Sequence, residues 1–127
     1  MIKKKILDPN RIRRIDGSFS FIPHRFIADG FLATLTQKEL LLYFFLVLVS
    51  DRHGLSFYSY DAICSFLHLT VDQYLEARGR LIEKELIAFD GTIFQVLALP
   101  PKPLKGSKPK EDPATVGQLV MQSLMEA

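Results

Sequence analysis

Ten consecutive apolar residues, Leu40 to Val49 (LLLYFFLVLV), set the terms on which this chain can fold. The run is half of the ~20 residues that a membrane-spanning helix needs, so it reads as a core helix. Thr36 followed by Glu39 offers a capping-box start, in which hydroxyl and carboxylate each satisfy an orphan backbone N–H. The helix is expected from Gln37 to about Asp51. It has no polar stripe, and packing on one side alone would leave apolar surface in water. Its cover comes either from neighbouring elements or from a second copy of the chain, and Leu40, Phe44 and Val47 are the expected seam of a homodimer.

Downstream, Gly54 breaks the chain and Leu55 to Tyr58 is short, aromatic and strand-like. Ser59 suits the cap of a helix from Tyr60 to Leu67, with Ala62, Ile63, Phe66 and Leu67 at core spacing. His68 and Leu69 form a turn. Thr70 with Gln73 repeats the capping-box pattern and opens a second helix to about Glu85, which buries Tyr74, Ala77 and Leu81. Leu86 to Phe89 and Thr92 to Leu97 then pair as a hairpin across Asp90-Gly91, a dipeptide suited to a type I′ turn. Upstream, Ser18 to Ile22 alternates as a short extended segment, with Phe19 and Phe21 on one side. Pro23 suits the start of a short helix that Gly30 ends.

With 127 residues, 48% of them hydrophobic and ten of them Phe, the chain can bury one sizeable core without staples. Its organisation is expected to be a basic arm over 1–15, one domain over 16–99, a Pro- and Lys-rich linker over 100–113 and a short helix within 114–127. Charge follows this division. Residues 1–30 carry seven Lys or Arg against three Asp, a balance of +4; residues 31–99 stand at −3 and residues 100–127 at +1. The single cysteine, Cys64, allows no internal disulfide, and the opening Met1 to Leu7 lacks the apolar stretch of a signal peptide, so a cytoplasmic protein is expected.

The order helix, long helix, short strand, helix, turn, helix, hairpin resembles the winged helix-turn-helix domains of bacterial transcription regulators and the amino-terminal domains of plasmid and phage replication initiators. The residues that carry it are IPHRFIADGF, LTQKELLLYFFLVL and AICSFLHLTVDQYLEARGRLIEKELIAF, spanning about Phe21 to Leu99. The resemblance implies a mainly α fold with a small β-hairpin wing (α+β). It also implies that the helix after the turn enters the major groove of double-stranded DNA. That carries Thr70, Gln73, Arg80 and Lys84 over as DNA-contacting positions, with Val71, Asp72, Leu75 and Glu76 on the same outward face. The family pattern often has a buried aliphatic residue where this chain has Arg78.

The charges on that helix point two ways. Asp72 and Glu76 would face phosphate, and Glu76 has the i,i+4 spacing to pair with Arg80. The hairpin tip offers Asp90 where a DNA-reading wing usually offers Arg or Lys. The strongest electrostatic feature lies elsewhere, in Lys3, Lys4, Lys5, Arg11, Arg13 and Arg14, an arm able to neutralise phosphates without a preshaped surface.

Catalytic and cofactor signatures are missing from the sequence. His24, His53 and His68 lack ligand spacing, Cys64 sits in a core-helix pattern, and no phosphate loop or nucleophile elbow occurs. The expectation is a non-enzymatic protein with no metal, cofactor, small-molecule ligand or membrane span. Two functions fit: DNA binding of the regulator or replication-initiator type, or a winged-helix module that docks a protein or a second copy through Val71 and Leu75.

Overall fold

The computed structural model describes residues 2–104. It is mainly helical with a small three-stranded antiparallel sheet. The elements are α1 (Arg25–Ala28), α2 (Gln37–Val49), β1 (Leu55–Ser56), α3 (Tyr60–Leu67), α4 (Val71–Glu83), β2 (Ile87–Phe89) and β3 (Phe94–Val96), with single 3-10 turns at Pro9–Arg11 and Leu32–Thr34. The helix expected over 114–127, and the linker beyond residue 104, lie outside the described residues.

Local side-chain chemistry starts each long helix. Thr36, Ser59 and Thr70 all stand in extended backbone, and each hydroxyl accepts the N–H three residues on. At Thr70 the box is complete, because the Gln73 carboxamide accepts the Thr70 N–H at 3.0 Å. At Thr36 the expected reciprocal bond is replaced. Glu39 accepts a hydrogen bond from the Thr36 hydroxyl (3.0 Å) and turns its other oxygen to Lys84, since both side chains are buried and a carboxylate in the core needs a cation.

The α3–α4 turn is tight. His68 adopts the left-handed conformation (φ 55°), and the Leu69 N–H returns to the Cys64 carbonyl at 3.1 Å. Glu85 does the same at the end of α4 (φ 58°), where the Leu86 N–H reaches back to the Leu81 carbonyl in a Schellman closure. Both reversals are short enough to keep α3, α4 and the hairpin on one core.

That core is built on α2 and α4, with Leu35, Leu42, Leu46, Ile63, Tyr74, Leu81, Leu86, Ile87 and Phe94 fully buried. Phe26 of α1 stacks on Tyr43 with centroids 4.9 Å apart, and burial pushes the Tyr43 phenol up from its ordinary value. Five of the ten apolar residues of the run are buried: Leu42, Tyr43, Phe45, Leu46 and Val47. Val47 is therefore not available to a dimer seam, and Leu40 is half-buried against the core. The surface left open on α2 is instead Leu41, Phe44 and Leu48, one stripe at i, i+3, i+7.

The sheet order is β1-β3-β2, with Ser56 opposite Phe94 and Phe89 opposite that same Phe94. Gly54 lies against the edge of this pairing. Its carbonyl accepts the Val96 N–H at 2.8 Å, its φ is +83°, and a Cβ there would stand 2.5 Å from the Val96 oxygen.

The β2–β3 loop differs from the type I′ expectation. Four residues, 90–93, separate the strands, and of them only Gly91 has a positive φ. The Asp90 carboxylate accepts the N–H groups of Ile93 (2.7 Å) and Thr92 (2.8 Å), closing the loop by side chain rather than by two left-handed residues. These bonds hold the Asp90 carboxyl below the usual carboxylate range.

Residues following the sheet fold back on α1. The Arg25 guanidinium pairs with Asp29 (2.9 Å), lies over the Phe31 ring, and donates to the carbonyls of Leu99, Pro100 and Pro101, the shortest bond being 2.8 Å to Pro100. No helix among the described residues is long and apolar enough to cross a membrane.

Candidate functional site

The rotation of α4 is fixed by what it buries. Tyr74, Ala77 and Leu81, at i, i+3, i+7, face the core. On a helix turning about 100° per residue, Val71, Leu75 and Ile82 then fall within about 40° of one another, about 110° around from the buried row. All three are exposed. Asp72, Glu76 and Glu83 form a parallel exposed row along one flank of this stripe.

Gly79 stands between Leu75 and Ile82 on the same face, and a Cβ added there would meet nothing within 4 Å. Packing among the described residues does not require a glycine at this position.

Lys84 and Arg80, expected to contact DNA, are not presented on this face. Lys84 is 6% exposed; its ammonium donates to the Glu39 carboxylate and the Thr34 carbonyl. Position 84 falls on the inner side because it follows Tyr74, Ala77 and Leu81 around the helix. The Arg80 side chain is 11% exposed and pairs with Glu76 at 3.3 Å. The Thr70 hydroxyl and Gln73 amide oxygen are engaged in the capping box. Val71 and Leu75 do point outward as expected.

Arg78, where the resemblance led to the expectation of a buried aliphatic residue, packs on aromatic rings. Its guanidinium lies 4.7 Å from the Phe89 centroid and 5.3 Å from that of Tyr74, and donates to the Tyr74 hydroxyl at 3.4 Å. A flat cation over two rings fills the place of an aliphatic side chain between α4 and the hairpin.

No protein-family model, curated protein or solved structure matches the chain.

The hairpin loop presents Asp90, Gly91, Thr92 and Ile93, all exposed and without a cation. Lys3, Lys4, Lys5, Arg11, Arg13 and Arg14 are all exposed, and Arg14 makes only a solvent-facing 3.8 Å approach to Asp16. Positive charge and the α4 face are thus separate features. The arm joins the domain through Ser20, whose hydroxyl donates to the Leu48 and Ser50 carbonyls at the end of α2 (3.3 and 3.4 Å). Phe19 and Phe21, on either side of it, are exposed.

A second apolar surface is the α2 stripe of Leu41, Phe44 and Leu48. Phe66 of α3, expected in the core from its spacing, is 64% exposed, and its ring is tilted by 32° against that of Phe45 with centroids 5.5 Å apart. Among the described residues no group of three or more His, Cys, Asp or Glu is arranged to hold a metal ion. Cys64 is half-buried, and desolvation pushes its thiol up, away from the thiolate a nucleophile needs.

Ile82 and Gly79 join the outward face by a spacing that the sequence itself carries. Gly79 lies four and Ile82 seven residues beyond Leu75, the spacing that places a helical residue on the same side. Glu39–Lys84 gave no comparable signal, because it depends on how α2 and α4 cross.

Proposed function

We propose that the chain is a winged-helix-type interaction module that docks a protein partner on the outward face of α4. One observation carries the reading: the two cations at the end of this helix are withdrawn, Lys84 onto Glu39 and Arg80 onto Glu76. What remains outward is Val71, Leu75 and Ile82 beside Asp72, Glu76 and Glu83. With its cations engaged in this way the face has little hold on phosphate, and it gains from burying aliphatic area against another protein. The glycine at 79, which costs helix stability without serving packing among the described residues, supports close approach by a partner backbone.

Leu75→Glu tests this reading. It is expected to abolish recovery of the partner from native extract while leaving the circular dichroism spectrum intact. A partner recovered equally well by the variant overturns the proposal.

The exposed arm favours a second reading, association with double-stranded DNA as in regulators and replication initiators. Six arm cations contacting phosphate would give a slope of about −5 in log affinity against log salt. Fluorescence anisotropy with a duplex distinguishes the two: DNA affinity lost on reversing Lys3, Lys4 and Lys5 but unchanged by Leu75→Glu assigns nucleic acid to the arm alone. Sequence-selective binding abolished by Leu75→Glu would return α4 to the groove.

A further inference from the structure

Ser20 turns its hydroxyl into the domain, donating to the Leu48 and Ser50 carbonyls at the end of α2. Residues 18–22 form neither helix nor turn, and in an extended chain the neighbours of an inward residue point outward. Phe19 and Phe21 accordingly stand 65% and 73% exposed among the described residues, on the side away from the domain. We propose that this ring pair and the basic arm together bind single-stranded nucleic acid, with phosphates on the cations and bases on the rings. The inference is independent of the α4 docking reading, and it puts a single strand in place of the duplex as the ligand of the arm.

The charge precedes the rings. Lys3, Lys4, Lys5, Arg11, Arg13 and Arg14 stand against only Asp8 and Asp16. Asp8 accepts the Asn10 N–H (3.0 Å) at the start of the Pro9–Arg11 turn, and Asp16 approaches Arg14 at 3.8 Å with both side chains in solvent. Gly17 then bends the chain at φ 73° between the arginines and the rings. Arg14 and Phe19 are close enough in sequence for one short stretch of polymer to meet both.

The rings suit bases that are not already stacked. Residues two apart on an extended strand are separated by about 7 Å. That is twice the ~3.4 Å step between neighbouring nucleotides of a stacked strand, so one base fits between the rings. In a duplex the bases stack on one another and present only their edges in the grooves. In a single strand every base offers a free π-face. Phosphate contacts alone would leave both phenyl rings in water, whereas a single strand supplies an anionic backbone and flat apolar faces in one ligand.

Fluorescence anisotropy of the full-length chain with oligothymidylate, oligouridylate and a duplex of equal length tests the proposal. The better of the two single strands, which names the sugar, is expected to bind about ten-fold or more tighter than the duplex. Its log affinity should fall against log salt with a slope of about −4 for six phosphate contacts, and with about half that slope in Lys3→Ala/Lys4→Ala/Lys5→Ala. Phe19→Ala/Phe21→Ala is expected to weaken single-strand binding by about thirty-fold or more at an unchanged slope. Circular dichroism and melting temperature should stay as in the unaltered chain, since both rings are exposed. Leucine at both positions keeps apolar area without a π-face and is expected to bind like the alanine form. The chain has no tryptophan, so Phe21→Trp reports stacking directly: oligothymidylate is expected to quench its fluorescence and the duplex to leave it unchanged.

A duplex bound as tightly as either single strand overturns the inference, as does full single-strand affinity in the alanine or the leucine form. Loss of single-strand binding in Leu75→Glu would move the site to α4 and overturn it too. If the duplex is bound and the rings make no difference, the arm is a phosphate-contacting arm alone. If no polymer is bound at 50 mM salt, both nucleic-acid readings of the arm fall and the α4 docking face is untouched.

Discussion

Lys84, forty-five residues downstream of Glu39, closes α4 onto the first turn of α2 by donating to that carboxylate in the interior. The Thr34 carbonyl and the Thr36 hydroxyl complete the network around the pair. Removing one partner leaves the other charge buried. Lys84→Met is therefore expected to cost about 3–5 kcal/mol in urea denaturation, while the double variant with Glu39→Leu recovers most of that loss. Additive losses in the double-mutant cycle would show the two side chains to be uncoupled.

Acid stability should depend on two turn carboxylates. Asp51 accepts the N–H groups of Leu55 (3.0 Å) and His53 (2.8 Å), and Asp90 those of Ile93 and Thr92; these bonds hold both carboxyls below their usual range. A lowered folded-state pKa means that the fold favours the ionised form. The stabilisation is fully present above the ordinary carboxylate value and disappears as pH falls through the lowered one. Melting temperature measured from pH 6 downward should drop more steeply below about pH 4 in the unaltered chain than in Asp51→Asn/Asp90→Asn. Identical slopes would remove these two groups from the acid transition.

Two glycines should respond to alanine with opposite sign. Gly54→Ala places a Cβ against the Val96 oxygen at a positive φ and should destabilise by about 1–3 kcal/mol. Gly79→Ala meets open space in a helix interior and should stabilise by about 1 kcal/mol. Chemical denaturation of the two variants measures both. A destabilised Gly79→Ala chain would show that this position has an intramolecular role.

Arg78 tests whether a flat cation can serve as packing. Arg78→Ala should lose about 1–2 kcal/mol, from the two ring contacts and the covering aliphatic stem. Lysine should restore only part of this, because a compact ammonium cannot stack on Phe89 and Tyr74 together. Equal thermal stability of the Lys and Arg forms would assign the effect to charge alone.

The elements with local causes were legible in the sequence. Ser59 and Thr70 start α3 and α4 where their hydroxyls predict, and Tyr74, Ala77 and Leu81 are buried as their spacing requires. Where a local rule had a competitor, legibility failed. Asp90-Gly91 carries the composition of a two-residue turn, yet the Asp90 carboxylate can satisfy the same backbone groups through a longer loop. The α2 helix ends at Val49 because the Ser50 N–H and hydroxyl both return to the Val47 carbonyl, and Asp51 then opens the next turn.

The apolar run Leu40 to Val49 marks the same boundary. By itself the sequence determined that these residues form a helix, that the helix is too short to span a bilayer, and that it needs cover on more than one side. Only the tertiary structure decided that Val47 and half of Leu40 are covered from within, leaving Leu41, Phe44 and Leu48 outside. It likewise decided that Lys84 is a core ion-pair partner rather than a surface cation. Helix formation and capping act over three or four residues and can be read from them. Which face is buried, and which charges meet, depends on how helices distant in sequence cross, and no local spacing encodes that angle.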